Sequence, residues 1–211
     1  MTGMSKASAR PRLGRPADAD SAATRRRIVE CAQESFAARG FDGTTNKQIA
    51  ASVGISTAAL YHYFPSKADM YVAVCDRIRD TLTQAFTRAS GAHVTLAERV
   101  RLLVEETGEL GRRETSALVF ITWMPHEVRN HPEIARGTEG LQREFRTLIG
   151  NIVVTADDPT GLLVGTTAEG FADFVSSSLA GFARMSARGQ HERQAAAASA
   201  LLRLIEGPPH K

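Results

Sequence analysis

Thr44-Thr45-Asn46-Lys47-Gln48-Ile49-Ala50-Ala51-Ser52-Val53-Gly54-Ile55-Ser56-Thr57-Ala58-Ala59-Leu60-Tyr61-His62-Tyr63-Phe64-Pro65-Ser66-Lys67 is the stretch whose reading decides the fold. Thr44 and Thr45 are good N-cap residues, and Gln48 stands three positions after Thr45, so a capping box can open a short helix that buries Ile49, Ala50 and Val53. Gly54 can take the left-handed conformation that a sharp turn needs, and Ile55 can plug the angle behind it. Ser56 caps a second short helix, in which Leu60 and Phe64 stand four apart and face inward. Pro65 ends that helix and Ser66 caps the next.

This is a helix-turn-helix with the start of a third helix attached. Its second helix keeps Thr57, Ala58, Tyr61, His62 and Tyr63 off the core. Hydroxyls and an imidazole donate to phosphate oxygens, and a small residue such as Ala58 lets the backbone approach base edges, so this face suits a polyanion. Lys67 falls in the first turn of the following helix, where a cation opposes the helix dipole unless an anion meets it; a DNA phosphate is the expected anion.

Working outward, residues 1–20 are rich in Ser, Ala, Gly, Pro and Arg and have almost no large apolar side chains, which predicts a flexible basic arm. Within it Gly14-Arg15-Pro16 looks like the centre of an AT-hook, which lays Arg15 into a narrow minor groove, although Leu13 stands where that pattern has arginine. A solvated basic tail making loose phosphate contacts is the plainer alternative. A first helix is predicted over 21–39 with Ile28, Ala32 and Phe36 as its buried stripe, ended by Gly40. Arg25, Arg26 and Arg27 lie on its exposed side, one of them facing phosphate.

After Ser66 the apolar spacing of Met70, Val74, Ile78, Leu82 and Phe86 predicts a helix toward Ser90, long enough to serve two domains. Further helices are read around 96–104, over 118–124 with a break at Pro125, over 132–154, from Asp157-Asp158-Pro159 through Met185, and around 195–205. No alternating strand pattern occurs. The expectation is an all-α chain of about nine helices with a three-helix DNA-binding domain at 21–83 (its motif about 45–64) and an effector-binding and dimerisation domain at 84–211.

Charge and composition agree. The 211 residues carry a formal charge of +3. Up to Lys67 there are ten Lys or Arg against five Asp or Glu, and beyond it sixteen against eighteen, so the basic excess travels with the motif. Cys31 and Cys75 are too far apart to suggest a disulfide framework or thiolate metal site, and read as core residues in a reducing cytoplasm. His126 and His131 are five apart and bracketed by Pro125 and Pro132, which does not match helical zinc ligation; they are assigned to a loop or kink, with no metal. No cofactor fingerprint and no nucleophile–base constellation is found, so no catalytic residue is assigned and the chain is read as a non-enzyme without a cofactor. With no apolar run of 18 residues or more, no membrane partner is expected either.

Thr-Thr, Ile-Ala, Val-Gly-Ile-Ser, Leu-Tyr-His-Tyr-Phe and Ser-Lys, with Gly40-Phe41 before them, resemble the DNA-binding domain of TetR/AcrR-type transcriptional regulators over about residues 21–83. The resemblance implies a ligand-responsive regulator, most often a repressor, that binds double-stranded DNA as a dimer. It implies phosphate contacts from Thr44 or Thr45, Tyr61, His62 and Lys67, base contacts from Thr57, Ala58 and Tyr63, and a place for Ser56 in the same DNA-binding site. Thr57 and Ala58 stand where many members carry Lys and Gly, so the operator cannot be carried over. A small apolar effector is expected in a pocket drawn from Phe86, Leu103, Thr107, Phe120, Trp123, Met124, Phe145, Ile149 and Phe171. The last two helices are apolar over more than one face and rich in small residues, which points to a two-fold dimer through a four-helix bundle.

Overall fold

The capping chemistry of the quoted stretch is what the computed structural model displays. The structure describes residues 17–89, 95–158 and 161–206. Thr45 is the N-cap of α2 (Asn46–Val53) with both halves of the capping box formed, and Gly54 ends that helix in the left-handed region at φ 78°. Ser56 accepts from the Ala59 N–H and caps α3 (Thr57–Tyr63), which Phe64 closes. Before them lies α1 (Ala17–Arg39), and after them α4 (Lys67–Ala89). The helix α1 begins four residues ahead of the expected start at Ser21. The arm with Gly14-Arg15-Pro16 lies outside the described residues.

Ile28, Ala32 and Phe36 of α1, Ile49 and Val53 of α2, Leu60 of α3 and Phe64 are at most 4% exposed, and Met70, Val74 and Ile78 of α4 close the same core. Truncating one of the large side chains among them to Ala would cost about 2–5 kcal/mol, a large share of an ordinary domain's net stability. The core does not stop at the third helix. Phe36 and Phe41 stack with centroids 5.9 Å apart, Tyr71 meets both edge to face at 5.1 and 5.6 Å, and Phe120 closes on Tyr71 at 4.6 Å.

Phe120 belongs to α6 (Thr115–Asn130), which follows α5 (Leu96–Arg113) after a break at Glu114. The expected break at Pro125 is corrected here: α6 runs through it. A proline removes one backbone hydrogen bond, but Met124 and Glu127 are buried on either side, and their tertiary contacts hold the turn in place. His126 is therefore helical and His131 the residue between helices, rather than both lying in a loop.

The helix α7 (Pro132–Val154) has the bounds its pattern predicts, with proline in its first turn, and packs more extensively on α4 than any other helix does. Gly137 makes that approach possible, since a Cβ there would lie 2.2 Å from Val72 Cγ2. A second correction concerns the next helix. Asp158 does cap, accepting from the N–H groups of Leu162 and Leu163, but the chain then turns at Gly161 and Gly165, both at positive φ. Helix α8 (Ala168–Ala187) starts only after Thr167, whose side chain accepts from Gly170. Last comes α9 (His191–Glu206). Among the described residues there are nine helices and no strand.

Candidate nucleic-acid interface

Leu60 and Phe64 point α3 into the core, and the rest of the helix follows from that. Tyr61 is 49% exposed; His62, Ala58 and Ser56 are exposed as well. Thr57 is half-buried, and Tyr63 is turned partly toward the core and packs on it. The angle between the two short helices is locked by polar contacts. Arg27 Nη2 donates to the Val53 carbonyl at 3.0 Å, capping the end of α2, and the Arg25 guanidinium lies 4.7 Å over the Phe64 ring. Both arginines therefore brace the motif from α1, while Arg26 is exposed.

Two expected phosphate ligands are placed differently. Thr44 is 1% exposed, and its hydroxyl lies 3.0 Å from the Ser35 carbonyl and 2.8 Å from that of Gly40. It is a lock on the turn after α1, which leaves Thr45 as the exposed member of the pair. Lys67 Nζ donates to the Phe41 carbonyl at 2.7 Å and to that of Thr44 at 3.2 Å, and sits 4.1 Å over the Phe41 ring. The charge that opposes the α4 dipole is met by these carbonyls and a ring face.

Sequence reasoning left out Lys47, exposed on α2, and Asn46, whose Nδ2 donates to Tyr61 Oη at 3.1 Å. A cation and an amide in the first turn of α2 were the available signals. Behind the motif, burial pushes the Cys75 thiol up to about 12, so it is a neutral core group, as its position among apolar residues requires.

A second feature lies between α4, α5, α6, α7 and α8. It is a cavity of about 130 Å³ lined by Leu82, Phe86, Thr107, Leu110, Leu118, Ile121, Met124, Leu141, Phe145, Leu179, Ala180 and Ala183. Of the residues expected in a pocket, Phe86, Thr107, Met124 and Phe145 line it. Leu103, Phe120, Ile149 and Phe171 are buried in the core and do not line it. Trp123 is 55% exposed on the outer side of α6, since its neighbours Phe120 and Met124 take the inward positions. The lining carries no charged group, so a charged ligand atom placed there would lose its hydration with nothing in return.

Comparison with known proteins meets this geometry. The family model for bacterial regulatory proteins of the tetR family matches residues 28–74. The nucleoid occlusion factor SlmA of Actinobacillus pleuropneumoniae serotype 5b (strain L20) is 28% identical over 113 residues, 52% of this chain and 56% of that one. The chain thus spans about half the length of the curated relatives it matches. Similarity of fold runs further. A TetR-family transcriptional regulator from Agrobacterium tumefaciens aligns over 87% of this chain and 98% of its own, at 17% identity and a TM-score of 0.73. The transcriptional regulator FadR from Bacillus subtilis, solved in complex with stearoyl-CoA, aligns over 88% and 99%, at 14% identity and a TM-score of 0.69. No helix among the described residues is long and apolar enough to cross a membrane. The family match runs from the buried stripe of α1 through the helix-turn-helix into α4, and the chain shares the fold of these solved regulators.

Proposed function

We propose that this chain is a transcription regulator of the tetR family, a repressor that binds a pseudo-palindromic operator as a homodimer and is released by a small apolar effector. The observation that carries the reading is the exposed polar side of α3, with Tyr61 and His62 outward while Leu60 and Phe64 anchor the helix from behind. Ser56, Tyr61 and His62 contact phosphates, and Thr57, Ala58 and Tyr63 face bases. Such a face has few long donors, so readout leans on backbone position and DNA shape.

Support for a dimer comes from what the last two helices leave uncovered. Ala196, Ala200 and Leu204 form an exposed i, i+4, i+8 stripe on α9, with Leu204 at 79% exposure. On α8, exposed Phe174 and Ser177 and half-buried Gly181 fall on one face at i, i+3, i+7, and a Cβ at Gly181 would meet nothing within 4 Å. An apolar stripe beside a small-residue groove is a surface that a second copy covers well. Two recognition helices then read half-sites about one helical turn apart.

Support for the effector comes from the apolar cavity. At about 130 Å³ it holds a ligand of roughly benzene size as it stands. Anything larger must part the helices around it, and α4 and α6 then shift together with the α1–α2 turn they hold. A ligand acts only through its preference for one arrangement over the other, with a coupling of about 1–3 kcal/mol where typical values hold.

The test uses duplexes selected by the purified protein from a random pool. Leu204→Glu with Phe174→Glu should give a monomer in sedimentation with operator affinity falling at least about a hundredfold. A panel of uncharged hydrocarbons and fatty alcohols should contain a compound that raises the melting midpoint and releases the duplex. A dimeric double variant would refute the interface, and a panel without such a compound would remove the apolar effector.

A further inference from the structure

Only a side chain with a proton to give can hold a phosphate through a neutral hydroxyl, because the phosphate oxygen accepts and cannot donate. That requirement separates the hydroxyls of this motif. Thr44 directs its proton to the Ser35 and Gly40 carbonyls. Thr45 directs its own to Gln48 Oε1 at 3.0 Å, inside the capping box that opens α2. Tyr61 is the contrasting case. Its oxygen accepts from Asn46 Nδ2 at 3.1 Å, and the phenol is half in solvent. A lone pair is engaged from behind while the proton stays available in front.

We infer that Asn46 is the positioning residue for Tyr61: its amide clamps the phenol oxygen as a donor, so that the single Tyr61 proton is presented to a DNA phosphate. The inference rests on the DNA-binding reading proposed above. The amide has two ends, and they are treated unequally. Asn46 Nδ2 reaches Tyr61, while Asn46 Oδ1 is buried with no hydrogen-bond partner. A buried acceptor left unpaired is unfavourable, and an asparagine free to serve its own pairing would not be held this way. Turned over, the amide oxygen would take the phenol proton and leave Tyr61 with nothing to donate. An acceptor arriving from outside selects the orientation in which Asn46 donates to Tyr61 and Tyr61 donates onward.

The clamp also fixes distance. Asn46 is the first residue of α2 and Tyr61 lies on α3, fifteen residues later, so the bond ties the entry of one helix to the exposed face of the next. Asn46 itself need not touch DNA. Its effect on affinity must pass through the Tyr61 hydroxyl, which makes the two residues inseparable in a double-mutant cycle.

The experiment measures duplex affinity, on fragments selected from a random pool by the wild-type protein, for wild type, Asn46→Ala, Tyr61→Phe and the double variant. Thermal melting of all four confirms folding. Asn46→Ala should weaken binding about fivefold and Tyr61→Phe about fivefold or more, while the double variant stays within about twofold of Tyr61→Phe alone. Asn46→Ala costing as much in the Tyr61→Phe background as in wild type would overturn the inference, as would no cost from either single change. Either result, with wild-type binding intact, leaves the DNA-binding reading standing. Failure of the wild type to bind any duplex takes both down.

Discussion

Glu127, near the end of α6, accepts a hydrogen bond at 3.2 Å from the backbone N–H of Phe41, 86 residues earlier in the chain. The carboxylate is buried, and its other oxygen lies 3.6 Å from His131 Nε2. Met124, one helical turn before it, lines the apolar cavity. One short piece of α6 is thus both the wall of the cavity and the support of the turn leading into the helix-turn-helix. The Phe41 carbonyl, on the same residue, is held by Lys67 at the start of α4.

Removing the Glu127 carboxylate leaves a buried N–H without a partner. Glu127→Ala should cost about 1–3 kcal/mol, lowering the melting midpoint by about 2–10 °C. Gly40→Ala should behave similarly, because that residue sits at φ +69° and its Cβ would lie 2.6 Å from Glu127 Oε1. Melting curves superimposable on wild type for both would show that this contact contributes nothing.

Lys67 separates a phosphate ligand from a structural tie. Its Nζ already serves two carbonyls and a ring face, so Lys67→Ala should lower the melting midpoint by several degrees, about 1–3 kcal/mol, whereas Lys47→Ala on the exposed side of α2 should leave it unchanged within about 0.5 kcal/mol. Equal melting of the two variants, with DNA affinity lost only at Lys67, would return Lys67 to the phosphate role its position in the sequence suggests.

The seam between α4 and α7 is tested through Gly137. Gly137→Ala drives a methyl into Val72 and should destabilise by about 1–3 kcal/mol. Val72→Ala should recover most of that loss in the double variant, a non-additivity expected only for direct contact. Independent, additive losses would mean that α4 and α7 do not meet there.

Much of this architecture was readable from spacing. The α4 stripe from Met70 to Phe86 and the bounds of α7 follow from apolar period and from proline in the first turn. Where reading failed, a local signal met a tertiary one. Pro125 looked like a break, but buried Met124 and Glu127 hold α6 through it. Asp157-Asp158-Pro159 looked like a helix start, but Asp158 caps a turn that two positive-φ glycines then redirect.

The site divides along the same line. The outward placement of Tyr61 and His62 could be inferred from Leu60 and Phe64, because helical period fixes one face from the other. The inward commitment of Thr44 and Lys67 could not, since their partners come from the end of α1 and the turn after it, up to 26 residues away. Nor does spacing distinguish Met124, at the cavity, from Phe120, packed on Tyr71; that depends on where neighbouring helices leave space.

The central claim is that the polar side of α3 is presented twice, on two copies, to successive major grooves of one duplex. Sequencing the fragments that the purified full-length chain enriches from a random duplex pool tests it most directly. The account predicts an inverted repeat with half-sites about one helical turn, or a whole multiple of it, apart, lost when Tyr61→Ala replaces the wild type. An enriched motif without two-fold symmetry, or the same motif enriched equally well by Tyr61→Ala, would contradict it.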